Sequence, residues 1–143
     1  MRDKPLKGLR VLDLTRLLPG PVCTLHLADL GADVIKVEDT GLGDYARGRG
    51  TDDDEMAPVF LAINRNKKSV AINLKEKDGK VIFRRLVKTA DVLVESFRPG
   101  VMQKLGFEYE SCKEINNRLV YCSISGYGQE GPYKYKAGHD INY

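Results

Sequence analysis

The stretch from Leu9 to Glu38 reads LRVLDLTRLLPGPVCTLHLADLGADVIKVE, and its punctuation decides the fold. Leu9–Leu14 is rich in branched side chains and follows a leader containing Pro5 and Gly8, the pattern of a strand. Thr15–Pro21 holds two prolines and a glycine and opens a helix, with Pro21 in the first turn, where a missing N–H is harmless. From Val22 to Leu30 apolar residues fall at 22, 25 and 28, with 27 and 30 beside them. That helix is apolar over most of its circumference and reads as well buried; His26 inside it reads as a packed structural residue. Gly31 ends it, and Asp33–Glu38 is a second strand.

The same alternation continues outward. Asp39–Glu55 is Gly-rich and highly charged and reads as a long mobile loop, followed by a short helix within Met56–Asn64 that begins around Pro58. Ser69–Leu74 reads as the third strand. Lys75–Ala90 is the clearest helix, with Ile82, Phe83, Leu86, Val87 and Ala90 forming one stripe at helical spacing. Asp91–Glu95 is the fourth strand. Arg98-Pro-Gly-Val opens a short helix to Leu105, a further helix carries Tyr109, Cys112 and Ile115 and ends near Asn116-Asn117, and Leu119–Ser125 is the fifth strand. Strands alternating with helices imply right-handed crossovers, so the fold class is α/β: a mostly parallel sheet with helices on both faces, incomplete at its C-terminal end.

Composition bounds the partners. The chain has 143 residues, about one domain's worth, with 42% hydrophobic and 30% charged residues. Twenty-three basic residues nearly balance 20 acidic ones, for a net charge of +3. A general nucleic-acid binder would cluster its basic residues on one face. The three cysteines, Cys23, Cys112 and Cys122, fit neither a disulfide framework nor a zinc pattern. They read as small hydrophobes in a reducing compartment, Cys112 and Cys122 at buried positions. MRDKPLKG has no apolar core of a signal peptide, and no apolar run reaches the ~18 residues of a membrane span. The expectation is a soluble cytoplasmic protein with neither a nucleic-acid nor a membrane partner and no metal site.

Several motifs carry possible chemistry. Gly41-Leu-Gly-Asp-Tyr-Ala46 matches a dinucleotide fingerprint formally, but it lies after the second strand and runs into more loop, so it is rejected. Arg65-Asn-Lys-Lys68 places three cations within four residues, able to pair with phosphate oxygens. Arg98 and Lys104, near the start and end of one short helix after the fourth strand, favour a phosphorylated ligand at the carboxyl edge of the sheet. Gly20-Pro21 offers helix N-terminal N–H groups to an anion. His139, in Ala-Gly-His-Asp-Ile-Asn-Tyr, is the best candidate for proton transfer near neutral pH. Asp140 is its neighbour rather than its partner, because adjacent residues on an extended chain point apart.

Taken together, LRVLDLTRLLPGP, LADLGADVIKVE, NRNKKSVAINLK, ADVLVESFRPGVMQKLG, LVYCSISGYGQEGPY and AGHDINY resemble the family III CoA-transferase superfamily (CaiB/BaiF type), and within it the α-methylacyl-CoA racemase branch. The resemblance implies a Rossmann-like large domain that binds coenzyme A thioesters, with CoA entering as part of the substrate, and interlocked homodimers. By position it implies that Ile72, Leu74 and Lys75 border the adenosine, and that Phe97, Arg98 and Lys104 belong to the segment that wraps the adenine and phosphates. Many relatives carry an arginine where this chain has Asp39, which shifts the expected phosphate contacts toward Arg65–Lys68.

The branch implies a chemistry as well. His139 would exchange the α-proton of a 2-methylacyl-CoA, with an aspartate further along the chain acting on the opposite face. The alternative is a CoA-transferase whose aspartate nucleophile lies in that same downstream region; some transferases carry a glutamine in the first loop, where this chain has Leu17. His139 and Leu17 tilt the expectation to a racemase. Residues 1–143 are then expected to form the N-terminal part of the CoA-binding domain of a longer enzyme, inactive if taken alone.

Overall fold

The computed structural model describes residues 4–48, 57–139 and 142. Its elements run β1 (Arg10–Leu14), α1 (Pro19–Asp29), β2 (Asp33–Glu38), a 3-10 turn (Tyr45–Gly48), α2 (Pro58–Asn64), β3 (Lys68–Ala71), α3 (Lys77–Lys88), β4 (Val92–Glu95), α4 (Val101–Leu105), α5 (Tyr109–Ile115) and β5 (Val120–Ser123). The five strands form one sheet in the order β3-β2-β1-β4-β5, and every pairing is parallel. Leu12 sits at the centre, opposite Ile35 on one side and Leu93 on the other. The chain winds outward from β1 through β2 to β3, then returns and winds the other way through β4 to β5. This reversal opens a crevice at the carboxyl ends of β1 and β4.

Helices cover both faces, as the alternation predicts. Under α3, α4 and α5 the core contains Leu12, Leu14, Phe83, Val87, Leu93, Met102, Phe107 and Cys112. The rings of Phe83 and Phe107 meet edge to face, centroids 4.6 Å apart, a contact that contributes about 1 kcal/mol beyond burial. Under α1 the core is smaller: Val11, Ala28, Ala32, Val34 and Val94.

Several boundaries differ from expectation. Helix α1 begins at Pro19, and its buried residues are Gly20, Pro21, Thr24, Leu25 and Ala28. His26 lies two positions beyond Thr24, on the far side of the helix, and is exposed rather than packed. Ile82 leaves the α3 stripe in the same way: it is 48% exposed, whereas Phe83 and Val87 are fully buried. Strand β3 ends at Ala71, before the predicted Leu74, because Asn73 makes a turn that accepts the Lys75 N–H on its side chain and the Glu76 N–H on its carbonyl. The stretch after β2 is not a mobile loop through Gly48: Asp44 and Ala46 are buried and a 3-10 turn closes it. Residues 49–56, the remainder of that predicted loop and the first residue of the predicted Met56–Asn64 helix, lie outside the described residues. Cys112 is buried as expected, Cys122 is half-buried, and Cys23 is exposed.

Candidate functional site

The site begins with the turn that leaves β1. Asp13, the last residue but one of β1, is fully buried, and its Oδ1 accepts from both the N–H and the hydroxyl of Thr15, at 2.9 and 2.5 Å. Lys36 Nζ, from β2, donates to the Thr15 carbonyl at 2.8 Å. The Arg16 N–H donates to Ser96 Oγ beyond β4, at 3.2 Å. The Leu17 N–H donates to Asp44 Oδ1 at 3.0 Å. Leu17 sits at φ 66°, a left-handed conformation unfavourable for a branched side chain, and these anchors hold it there. A strained residue fixed from three sides at a sheet edge is the pattern of a functional turn.

Two buried charge clusters support the turn. Lys36 and Asp44 form one, both nearly inaccessible. Burial pushes the Asp44 carboxyl up, but bonds from the Ala46 N–H, Lys36 and the Leu17 N–H outweigh it and leave the group below its ordinary value. The second joins Asp13 Oδ2, Thr24 Oγ1 and Lys67, whose ammonium also reaches the Pro21 carbonyl and Asn64 Oδ1. Burial pushes the Lys67 ammonium down despite the attraction of Asp13. Beside them, Glu38 accepts from Arg47 at 2.6 and 2.7 Å and from Ser69 at 2.6 Å.

The crevice these elements frame holds about 490 Å³. Leu14, Val37, Ile72, Leu74, Phe97, Val101 and Leu105 give it apolar walls; Arg16, Asp39, Thr40, Tyr45, Asn73 and Lys75 are among its polar groups. An apolar cleft with a few convergent polar groups, at the switch point of a parallel sheet, is where such folds bind ligands. Four of the six residues predicted from the resemblance to contact coenzyme A, Ile72, Leu74, Lys75 and Phe97, come together here.

The other two do not join them. Arg98 lines a neighbouring cleft of about 510 Å³ between the ends of β4 and β5, with Glu95, Tyr121, Ser123, Gln129 and Lys134. Burial raises the Glu95 carboxyl, partly offset by Ser123 and the Phe97 N–H. Lys104 is exposed on α4 and lines neither cleft, although its helix neighbours Val101 and Leu105 face the crevice. His139 is exposed and also lines neither; its N–H donates to Asn142 Oδ1 at 2.9 Å. It follows the segment whose Lys134 and Tyr135 wall the second cleft. Asp140 lies outside the described residues.

The predicted phosphate role of Arg65–Lys68 meets a physical objection at Lys67. Lys67 pairs with Asp13 in the interior and is committed within the fold, whereas Arg65 and Lys68 pair with Asp29 and Asp33 at exposed positions, where such pairs are weak. Gly20 serves close packing: a Cβ there would lie 2.2 Å from Cβ of Thr15. Sequence reasoning missed Arg16, Lys36 and Asp44. The available signal was Lys36 itself, a charge within the apolar run Val34-Ile-Lys-Val37 of an interior strand, which requires a buried partner.

The fold and crevice define a Rossmann-like parallel α/β protein with a ligand cleft at its switch point. The chain matches the model of CoA-transferase family III over residues 6–143 and belongs to that family. It is 48% identical over 138 residues to the succinyl-CoA:glutarate CoA-transferase of Mus musculus, covering 96% of this chain and 32% of that protein. It is 47% identical over 136 residues to the acetyl-CoA:oxalate CoA-transferase of Acetobacter aceti, covering 95% and 35%. A CaiB/BaiF family protein from Brucella suis superimposes with a TM-score of 0.92 at 44% identity, over 99% of this chain and 38% of that one. A hypothetical protein from Mycobacterium tuberculosis gives 0.88 at 43%, over 96% and 38%. The chain thus spans about a third of the length of the curated relatives it matches. Among the described residues no helix is long and apolar enough to cross a membrane.

Proposed function

We propose that the whole protein moves coenzyme A between carboxylic acids, with an acyl-CoA thioester as donor and a free acid as acceptor, and that residues 1–143 supply most of its CoA-binding surface. One observation carries the reading: close relatives across most of this chain are named CoA-transferases acting on succinyl-CoA with glutarate and acetyl-CoA with oxalate. These names favour the transferase over the racemase that His139 and Leu17 suggested. In this reading Ile72, Leu74 and Lys75 border the adenosine, and Phe97, Arg98 and Lys104 belong to the segment that wraps the adenine and phosphates. The nucleophilic carboxylate expected from the resemblance would come from beyond residue 143, and the interlocked homodimer belongs to the same proposal.

Coenzyme A exchange tests it. The full-length protein, given succinyl-CoA and glutarate or oxalate, should yield the second acid's thioester, and hydroxylamine should trap a carboxylate-linked CoA. Incorporation of solvent deuterium at the α-carbon of a 2-methylacyl-CoA without any such exchange would overturn the reading in favour of the racemase. In that case His139→Ala should abolish the incorporation.

A further inference from the structure

We propose that Arg16 is the anion-binding residue of the crevice, and that in the unliganded protein Asp39 holds its guanidinium in place of the ligand's phosphate or carboxylate oxygen. The identity of the ligand rests on the coenzyme A reading above; the existence of the anion site does not.

The case starts from the backbone. The carbonyl of Thr15 and the N–H groups of Arg16 and Leu17 are each bonded by a side chain from elsewhere in the fold. Arg16 is therefore presented on a rigid pedestal, and only its side chain has freedom to move. That side chain lies across the crevice wall. Nη2 is 3.2 Å from Asp39 Oδ2 and Nη1 is 3.1 Å from the Tyr45 hydroxyl. The guanidinium carbon is 5.2 Å from the ring centroids of both Tyr45 and Phe97, so two aromatic faces steady the cation.

The charges around it are unequal in commitment. Arg16 and Lys75 are the cations lining the crevice among the described residues. Of the carboxylates there, Glu38 is buried and engaged by Arg47 and Ser69. Asp39 is different: its pair with Arg16 is partly open to solvent, with side-chain exposures of 29% for Arg16 and 40% for Asp39. Exposed pairs of this kind are weak. A phosphate offers more charge and two oxygens to the same planar fork. Exchange leaves Asp39 with the bond its Oδ1 already accepts from the Gly41 N–H, at 2.9 Å.

The test is calorimetric titration of the full-length protein with coenzyme A and, separately, with inorganic pyrophosphate, at low salt, for wild type, Arg16→Gln and Asp39→Asn. Arg16→Gln should weaken both ligands by roughly tenfold or more, the scale of a lost charged hydrogen bond. Asp39→Asn removes the competitor and should tighten both by about two- to fivefold. Because the two variants move affinity in opposite directions, general loss of structure cannot imitate the result. Coenzyme A binding that ignores both substitutions overturns the Arg16 assignment and leaves the coenzyme A reading standing. Pyrophosphate binding that depends on Arg16, without any coenzyme A binding, supports the anion site and overturns that reading. Binding of neither ligand by wild type overturns both.

Discussion

Lys36 Nζ lies 2.8 Å from Asp44 Oδ2, and the two side chains are 1% and 0% exposed. The pair joins an interior strand to a stretch that reads as loop, and through Asp44 Oδ1 it holds the left-handed Leu17 at the crevice. Removing one partner strands the other's charge in the interior. Asp44→Ala also leaves the N–H groups of Leu17 and Ala46 without their acceptor. The expected loss is about 3–5 kcal/mol of unfolding free energy, measured by urea denaturation. Asp44→Asn keeps an oxygen for the two N–H groups and should lose less. Equal stability of Asp44→Ala and wild type would show that the pair does not hold the turn.

Glu38 gives the stability a defined acid limb. Burial pushes its carboxyl up, but the bonds from Arg47, Ser69 and the Asp44 N–H outweigh burial and bring it from 4.5 down to about 2. A carboxylate whose folded value is depressed contributes stability that is fully present above about pH 4.5 and lost as pH falls toward about 2. The contribution is roughly 3 kcal/mol. Thermal or urea unfolding followed from pH 5 to pH 2 should show this decline, and Glu38→Gln should flatten it. A variant with the wild-type slope would assign the acid limb to other carboxylates.

The β1–α1–β2 unit was legible because apolar runs and Pro/Gly punctuation are local signals, and Leu9–Glu38 carries all of them. Strand order was less accessible: the alternation requires parallel strands, but that β4 returns beside β1 depends on how both faces are covered. The ion pairs were illegible for a related reason. The partners of Arg65, Lys67 and Lys68 stand 36, 54 and 35 positions away in the chain, so three neighbouring cations looked available. Asp44 was hidden in a Gly-rich stretch whose order comes from a lysine on another element. Of the site, Ile72, Leu74, Lys75 and Phe97 entered through family resemblance rather than pattern, and that resemblance did not separate Phe97 in the crevice from Arg98 in the next cleft.

Gly79 offers a test of how the crevice wall is built. It is buried in the first turn of α3, and a Cβ there would stand 1.9 Å from the Asn73 carbonyl oxygen. Asn73 lies between Ile72 and Leu74 on the wall. Gly79→Ala must therefore move backbone, at a cost of about 1–3 kcal/mol, and the displacement falls on the ligand side. Both a lower unfolding midpoint and weaker binding of coenzyme A are expected. Gly106→Ala provides the contrast: its left-handed backbone, φ 79°, carries strain, but a Cβ there meets nothing within 4 Å. It should reduce stability with little effect on the ligand.

The three thiols should separate by reactivity. Burial, aided by the nearby Glu108, pushes the Cys112 thiol up to about 11 despite Arg84, and its Sγ lies 3.3 Å from the Phe107 carbonyl in the core. Thiolate is the reacting species, so Cys112 is both inaccessible and almost wholly protonated near neutral pH. Burial also raises the half-buried Cys122, whereas Cys23 is exposed on α1. Maleimide labelling near pH 7.5, read by mass spectrometry of peptides, should mark Cys23 first and Cys122 slowly. Cys112 should remain unmarked until denaturant is added. Early labelling of Cys112 in the folded protein would mean that the α3–α5 side of the core opens readily, and Cys112→Ala would then cost less than the 1–2 kcal/mol expected for losing a packed small hydrophobe.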